Sequence, residues 1–91
     1  MLVHVAGEFD IGTQPILRQA LSRAHAADAD VLLDLSDVTF VDASSLGVLM
    51  DARRTLAERG HTFRIVNPAR AVLRVLALTD LTSVLMPATA R

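Results

Sequence analysis

Two adjacent serines, Ser44 and Ser45, lie where a short apolar run gives way to a helical pattern. The apolar run covers residues 38–41 and is typical of a strand, whereas residues 45–58 place apolar side chains on one face of a predicted helix. A helix start exposes unpaired backbone N–H groups and carries partial positive charge, so it accommodates an added anion well. A serine at this place can serve as a helix cap, a nucleophile or a phosphate acceptor.

The nucleophile interpretation of Ser44 requires a strained turn and a nearby base. Serine hydrolases relieve the strain with the pattern G-x-S-x-G, but here Asp42 and Leu46 occupy the two glycine positions. Possible bases are the three histidines, which are predicted in the first strand, near the end of the first helix and at the start of a later strand (His4, His25 and His61). Histidines in such places are usually surface or structural residues, so we expect no serine hydrolase and no enzyme.

The composition of the 91 residues argues against several other classes of protein. Apolar residues make up 52%, which is enough for the core of one small domain, yet no apolar run reaches membrane-spanning length. The formal net charge of −1 argues against direct nucleic-acid binding, which normally requires a basic excess. The chain has no cysteine, no histidine pair with metal-ligand spacing and no phosphate-binding glycine loop. We therefore expect no metal and no cofactor, and, without a secretory signal after Met1, a cytoplasmic location.

Strand-like and helix-like segments alternate along the chain. A helix is predicted after Thr13, which can cap it, with Pro15 in its first turn. Gly60 is predicted to end the helix that begins near Ser45, in a left-handed conformation. This alternation at short spacing predicts an α/β domain with at least partly parallel strands. The predicted strands cover residues 2–6, 31–35, 38–41 and 61–66, with a turn at residues 36–37, a short helix around residues 72–76, and a final strand or extended tail over residues 81–86.

Three segments together resemble the STAS domain family. They are residues 7–10 (Gly-Glu-Phe-Asp), residues 42–49 (Asp-Ala-Ser-Ser-Leu-Gly-Val-Leu) and the pair Asn67-Pro68, and the resemblance runs in order from Val3 to Val84. It implies a single STAS-like domain over residues 1–91, with a mixed sheet of about four strands and helices mainly on one face. The strand that usually precedes Val3 and the usual C-terminal helix are not found, so we expect an exposed sheet edge and a tendency to form homodimers.

The same resemblance implies a function as a bacterial anti-sigma factor antagonist. Such a protein binds an anti-sigma factor that is a serine kinase, and phosphorylation at the position of Ser44 ends the binding. The expected contact residues are Asp10, Asp42, Ser44, Ser45 and Val48. For Asp42 the sequence leaves open whether it orients the loop or caps the helix, and for Asp10 whether it contacts a partner or lies in a solvated turn.

A second interpretation of the resemblance also stays open at this point. The chain can be a STAS subunit or regulatory module of another assembly, such as a lipid or anion transporter or a stress-signalling complex. In that case, Ser44 need not be phosphorylated. A phosphate adds about −1.5 to −2 charges near neutral pH, so the two interpretations differ in whether the surface around Ser44 changes its charge.

Overall fold

A computed structural model describes residues 1–87 of the chain, and residues 88–91, the last part of the predicted domain, lie outside the described residues. Within residues 1–87, three strands alternate with three helices and a fourth helix follows, so the predicted α/β class is confirmed. The elements are β1 (Leu2–Phe9), α1 (Gln14–Ala26), β2 (Val31–Val41), α2 (Ala43–Glu58), β3 (Phe63–Val66), α3 (Arg70–Leu78) and α4 (Thr82–Leu85).

The sheet has the order β1-β2-β3, and both outer strands run parallel to the central strand β2. Each pair of neighbouring parallel strands is therefore joined by a helical crossover, α1 in the first case and α2 in the second. Crossovers of this kind are almost always right-handed, and two that advance in the same direction place their helices on the same face of the sheet. Helices α1 and α2 accordingly pack against each other. Helices mainly on one face are what the resemblance implies, and this expectation is confirmed for α1 and α2.

The alternation of buried and exposed residues along the strands identifies the face that carries the core. In β2, Val31, Leu33 and Leu35 are buried, whereas Leu32 and Asp34 between them are only half-buried. Side chains of successive strand residues point to opposite faces, so the buried set lies under the helices. Every helix contributes to the same hydrophobic core, including Leu17 of α1, Leu46 of α2, Leu76 of α3 and Leu85 of α4.

The predicted turn at Ser36 and Asp37 is wrong, because both residues lie inside the continuous strand β2. Here β2 bulges against β1: the paired residues step from His4↔Asp34 to Ala6↔Asp37, so β2 uses one residue more than β1. A second extra residue of β2, Thr39, lies opposite the step from Gly7 to Glu8, because Gly7 pairs with Val38 and Glu8 pairs with Phe40. Each bulge shifts the inward-facing positions by one, which interrupts the period-two pattern and makes one strand look like two.

The sheet differs from the expected one in two further ways, in its number of strands and in the structure of its predicted last segment. With the two apolar runs joined in β2, the sheet of residues 1–87 has three strands, all parallel, and not a mixed set of about four. Residues 81–86, predicted as a final strand or an extended tail, instead contain the short helix α4, whose Leu85 is fully buried. The three apolar residues Leu81, Val84 and Leu85 have helical spacing, a signal that was outweighed by the shortness of the segment.

Candidate functional site

The carboxyl ends of β1 and β2 bring two helix starts together. The last paired residues of these strands are Phe9 and Val41, and the Asp42 N–H also donates to the Phe9 carbonyl at 3.1 Å. Asp10 follows β1 and leads to α1, while Asp42 follows β2 and leads directly to α2. Because the strands are parallel, both strand-to-helix turns lie at the same edge of the sheet. Ligand sites of open α/β sheets commonly lie outside the carboxyl ends of the strands.

Asp42 is the N-cap of α2 and organises the serine pair with one carboxylate oxygen. Its Oδ1 accepts hydrogen bonds from the Ser44 hydroxyl at 2.7 Å, the Ser45 N–H at 2.8 Å and the Ser45 hydroxyl at 2.9 Å. These hydrogen bonds lower the pKa of the Asp42 carboxyl from its ordinary value of 3.8. The bond from the Ser44 hydroxyl has the largest effect, and the bond from the Ser45 N–H has the next largest. Asp42 therefore both caps the helix and orients the serines, so the two roles left open by the sequence are filled together.

Ser44 is exposed in the first turn of α2, with its hydroxyl at the protein surface. Besides donating to Asp42, its Oγ accepts a hydrogen bond from the Gln14 side-chain amide at 2.8 Å. Gln14 is the first residue of α1, so this contact joins the start of α1 to the start of α2. The hydroxyl is thus held in a defined position and remains within reach of a protein that approaches from solvent.

Ser45 and Val48, which were expected to contact a partner, are buried. The side chain of Ser45 is completely inaccessible, and its hydroxyl is used by Asp42. Val48 is only 3% exposed and belongs to the hydrophobic core. Neither side chain can touch a protein that docks on the folded surface, so these two expectations are corrected. The helical period explains the error, because Ser45, Val48 and Leu49 share the inward-facing side of α2.

Asp10 lies half-buried in the turn between β1 and α1, where it has a structural task. The Thr13 N–H donates to Asp10 Oδ1 at 3.1 Å, and the Asp10 N–H donates to Thr13 Oγ1 at 2.9 Å. The Thr13 hydroxyl in turn donates to the Glu8 carbonyl at 2.7 Å. These bonds fix the turn that positions Gln14 and α1. Thr13 precedes α1 as predicted, but its side chain does not cap the helix, because it accepts no hydrogen bond from the first turn of α1.

Comparison with known proteins identifies the family. A family model described as "Mlab, STAS domain" matches residues 1–87. The chain belongs to the STAS domain family. It is 28% identical over 83 residues to the anti-sigma-B factor antagonist of Bacillus subtilis, a match that covers 91% of this chain and 76% of that protein. The resemblance drawn from residues 7–10 and 42–49 is thereby confirmed.

Solved structures of STAS relatives have the same fold. An anti-sigma factor antagonist from Mycobacterium paratuberculosis is 31% identical, with a TM-score of 0.79 over 96% of this chain and 76% of that one. The anti-sigma factor antagonist SpoIIAA in its unphosphorylated form is 25% identical, with a TM-score of 0.70 over 97% of this chain and 78% of that one. The named relatives are regulatory proteins that antagonise anti-sigma factors.

The described polar side chains around Ser44 do not form a catalytic site. Within residues 1–87, the Ser44 hydroxyl bonds to Asp42 and Gln14, and no histidine is placed as its base. His4 pairs with Asp37 at 2.7 Å, and His61 pairs with Asp28 at 2.9 Å. No group of three or more potential metal-ligating side chains occurs in the described part of the chain.

No helix in residues 1–87 combines the length and apolar character needed to cross a membrane.

Gln14 is the site residue that the sequence analysis missed. Its side chain binds the very hydroxyl proposed as the phosphate acceptor, although 30 positions separate the two residues. The sequence did contain a signal, because two parallel strands, each followed by a helix, place the first residues of both helices at one sheet edge. Residue type alone gave no reason to single out a glutamine at the start of a helix.

Proposed function

We propose that this STAS domain is an anti-sigma factor antagonist that binds a serine-kinase-type anti-sigma factor and is released when Ser44 is phosphorylated. The observation that carries the proposal is the contrast within the serine pair: Ser44 exposes its hydroxyl at the first turn of α2, whereas Ser45 is fully buried. The names of the relatives support the antagonist role. The domain acts in this proposal as a cytoplasmic binding protein and substrate of a kinase, not as an enzyme.

The modification is a phosphoryl transfer from ATP, bound by the kinase, to Ser44. A bond forms between Ser44 Oγ and the γ-phosphorus, the bond from that phosphorus to the β–γ bridging oxygen breaks, and ADP leaves with the electron pair. The hydroxyl proton, which in this structure points to Asp42 Oδ1 at 2.7 Å, is released to the kinase or to water.

The fold is expected to survive this modification. Phosphorylated Ser44 no longer donates to Asp42, but Asp42 keeps the Ser45 N–H and the Ser45 hydroxyl as donors, so the cap of α2 remains. The phosphate would lie in solvent at a helix start, where negative charge is favourable. It would also add about −1.5 to −2 charges beside the carboxylate of Asp42. A partner docked on this surface would meet a desolvated dianion, which costs binding free energy.

We propose that the surface around Ser44 contacts the partner. Asp10 and Asp42 provide carboxylates at the two strand-to-helix turns, and we propose both as contact residues together with Ser44. Two large apolar side chains belong to the turn after Asp10 and to the helix that follows it: Ile11 is 75% exposed in the turn, and Ile16 is 62% exposed in α1. Isolated exposed apolar residues are common, and we include these two in the proposed contact surface because α1 begins at Gln14, whose side chain binds Ser44.

Phosphate mapping tests the proposal directly. The purified domain is incubated with ATP and a panel of serine-kinase-type anti-sigma factors, and the phosphate is located by mass spectrometry. Phosphate on Ser44, lost in Ser44→Ala and kept in Ser83→Ala, is the expected result, since Ser83 is an exposed serine in α4. Phosphate on another residue, with Ser44→Ala still modified, would refute the assignment of the site.

A second candidate function is that of a subunit in another assembly without phosphorylation switching. It is favoured by the description of the matching family model, which is not restricted to antagonists. Affinity capture from the source cell separates the two candidates when it is done with both the natural protein and Ser44→Asp. Capture of a kinase by the natural protein alone supports the antagonist, while capture of the same non-kinase complex by both supports the assembly subunit.

A further inference from the structure

Gln14 connects the two helices at the proposed switch. Its backbone N–H donates to the Asp10 carbonyl at 3.0 Å, which fixes the residue at the start of α1, and its half-buried side chain reaches across to α2. There the side-chain amide lies 2.8 Å from Ser44 Oγ. Gln14 is thus the one residue outside the serine loop that holds the Ser44 hydroxyl in the described structure.

The direction of this hydrogen bond follows from the chemistry of its neighbours. A serine hydroxyl has one proton to donate, and Ser44 donates it in a hydrogen bond to Asp42 Oδ1 at 2.7 Å. An ionised carboxylate can only accept, so the direction of this bond is fixed. The Ser44 oxygen is left with its lone pairs, so the group that faces it from α1 must be a donor. The amide nitrogen of Gln14 meets this requirement, whereas a carboxylate of the same length would not.

We propose that Gln14 positions the Ser44 hydroxyl before phosphorylation and donates a hydrogen bond to the phosphate afterwards. The inference rests on the proposed function insofar as Ser44 is the modified residue. Its distinctive content is a second member of the switch on α1, in addition to the serine on α2.

Phosphorylation makes the two neighbours of Ser44 unequal. The phosphate has acceptor oxygens and no proton to give to Asp42, whose carboxylate it therefore faces as one anion faces another. The Gln14 amide has two N–H groups and can donate to a phosphate oxygen as well as to Oγ. The phosphate is drawn towards α1 and away from Asp42. It would thus lie beside the start of α1, on the surface proposed for the partner.

The test places phosphoserine at position 44 by genetic encoding and follows its ³¹P resonance in a pH titration, so no kinase is needed. An exposed phosphoserine has a second pKa of about 6, and a donated hydrogen bond stabilises the dianion and lowers that value. We expect Gln14→Ala to raise the phosphate pKa by about half a unit relative to the natural residue. Gln14→Asn should raise it similarly, because the shorter side chain withdraws the amide.

The matched control is Gln19→Ala, which removes an exposed glutamine from the same helix and should leave the titration unchanged. Thermal midpoints of all variants check that the fold is retained. Equal phosphate pKa values in the natural protein, Gln14→Ala and Gln14→Asn would overturn the role of Gln14. A failure to find a kinase would instead count against the proposed function and would leave this titration result standing.

Discussion

Ser44 and Ser45 are neighbours in sequence with opposite environments, although both donate to the same oxygen, Asp42 Oδ1. Ser44 lies at the surface, and Ser45 is completely buried. The helical period is responsible, because a rotation of about 100° per residue turns adjacent side chains of α2 towards different sides. One hydroxyl is therefore accessible to another protein, and the other stabilises the helix start.

Alanine substitutions of the two serines should have unequal effects on stability. Ser45→Ala removes a buried hydroxyl that serves the cap, so we expect the free energy of unfolding to fall by about 1 kcal/mol. Ser44→Ala removes an exposed hydroxyl and should change it by less than about 0.5 kcal/mol. Urea unfolding monitored by circular dichroism measures both. Equal losses would mean that the two hydroxyls contribute alike to the helix start.

Acid should destabilise the domain through its hydrogen-bonded aspartates. The pKa is lowered from the ordinary 3.8 for four of them, chiefly by the His61 side chain at Asp28, the Thr62 N–H at Asp30, the Ser36 N–H at Asp34 and the Ser44 hydroxyl at Asp42. A carboxyl whose folded pKa is depressed stabilises the fold above its unfolded pKa and loses that contribution as pH falls through the folded value. The free energy of unfolding should therefore be steady near neutrality and decline below about pH 4.

Asp42→Asn isolates one of these contributions. The amide oxygen can still cap α2, but it does not titrate, so the decline below about pH 4 should be shallower than in the natural protein. Urea unfolding at a series of pH values from 7 to 2 provides the comparison. Parallel curves for the natural protein and Asp42→Asn would show that Asp42 carries none of the acid sensitivity.

Asp80 offers a stabilising substitution at the end of α3. Its φ of 61° lies in the left-handed region, which glycine adopts readily and other residues only at a cost. Asp80→Gly should raise the free energy of unfolding by about 0.5 kcal/mol, a net value that includes the greater freedom of glycine in the unfolded chain. Asp80→Ala should lower the free energy of unfolding, because alanine is strained at a positive φ. Thermal unfolding of the three proteins tests this order. A lower midpoint for Asp80→Gly than for Asp80→Ala would contradict the backbone explanation.

The open edge of β1 leads us to predict that the domain forms homodimers. In the described residues, β1 pairs with β2 on one side only, and an unpaired edge can add a strand from a second copy. The irregular register against β2 and the left-handed Gly7 (φ 107°) make this edge uneven, so we expect a weak dimer that forms only at high concentration. Sedimentation over a concentration series measures it. A monomer throughout would remove the proposed dimer.

Local signals in the sequence predicted the helices well and the strands less well. Pro15 and Gly60 marked a helix start and a helix end correctly, and Gly60 has the expected left-handed φ of 81°. The central strand was divided in two because bulges break the alternation that identifies strands, and a bulge is set by pairing with β1 and not by β2 alone. The short helix α4 gains its stability from the burial of Leu85, a tertiary effect that a six-residue segment does not reveal.

The candidate site was predictable where the motif fixes residue order and unpredictable where the fold sets distance. The motif identified Asp42 and Ser44, which lie within hydrogen-bonding distance because they are two residues apart at a helix start. Val48 was placed on the wrong side of α2, because several residues of this helix are apolar and only packing decides which are covered. Gln14 entered the site through the parallel pairing of β1 and β2, a contact that no local pattern contains.

The most direct test of the switch compares affinity and stability in the same proteins. The natural domain, Ser44→Asp and the form with phosphoserine at position 44 are titrated calorimetrically with the anti-sigma factor that phosphorylates the domain, and their thermal midpoints are recorded. We predict that both negatively charged forms bind at least about tenfold more weakly while their midpoints stay within about 2 °C of the natural value. Unchanged affinity in the phosphorylated form, or a loss of affinity that accompanies unfolding, would contradict a switch that acts on the contact surface alone.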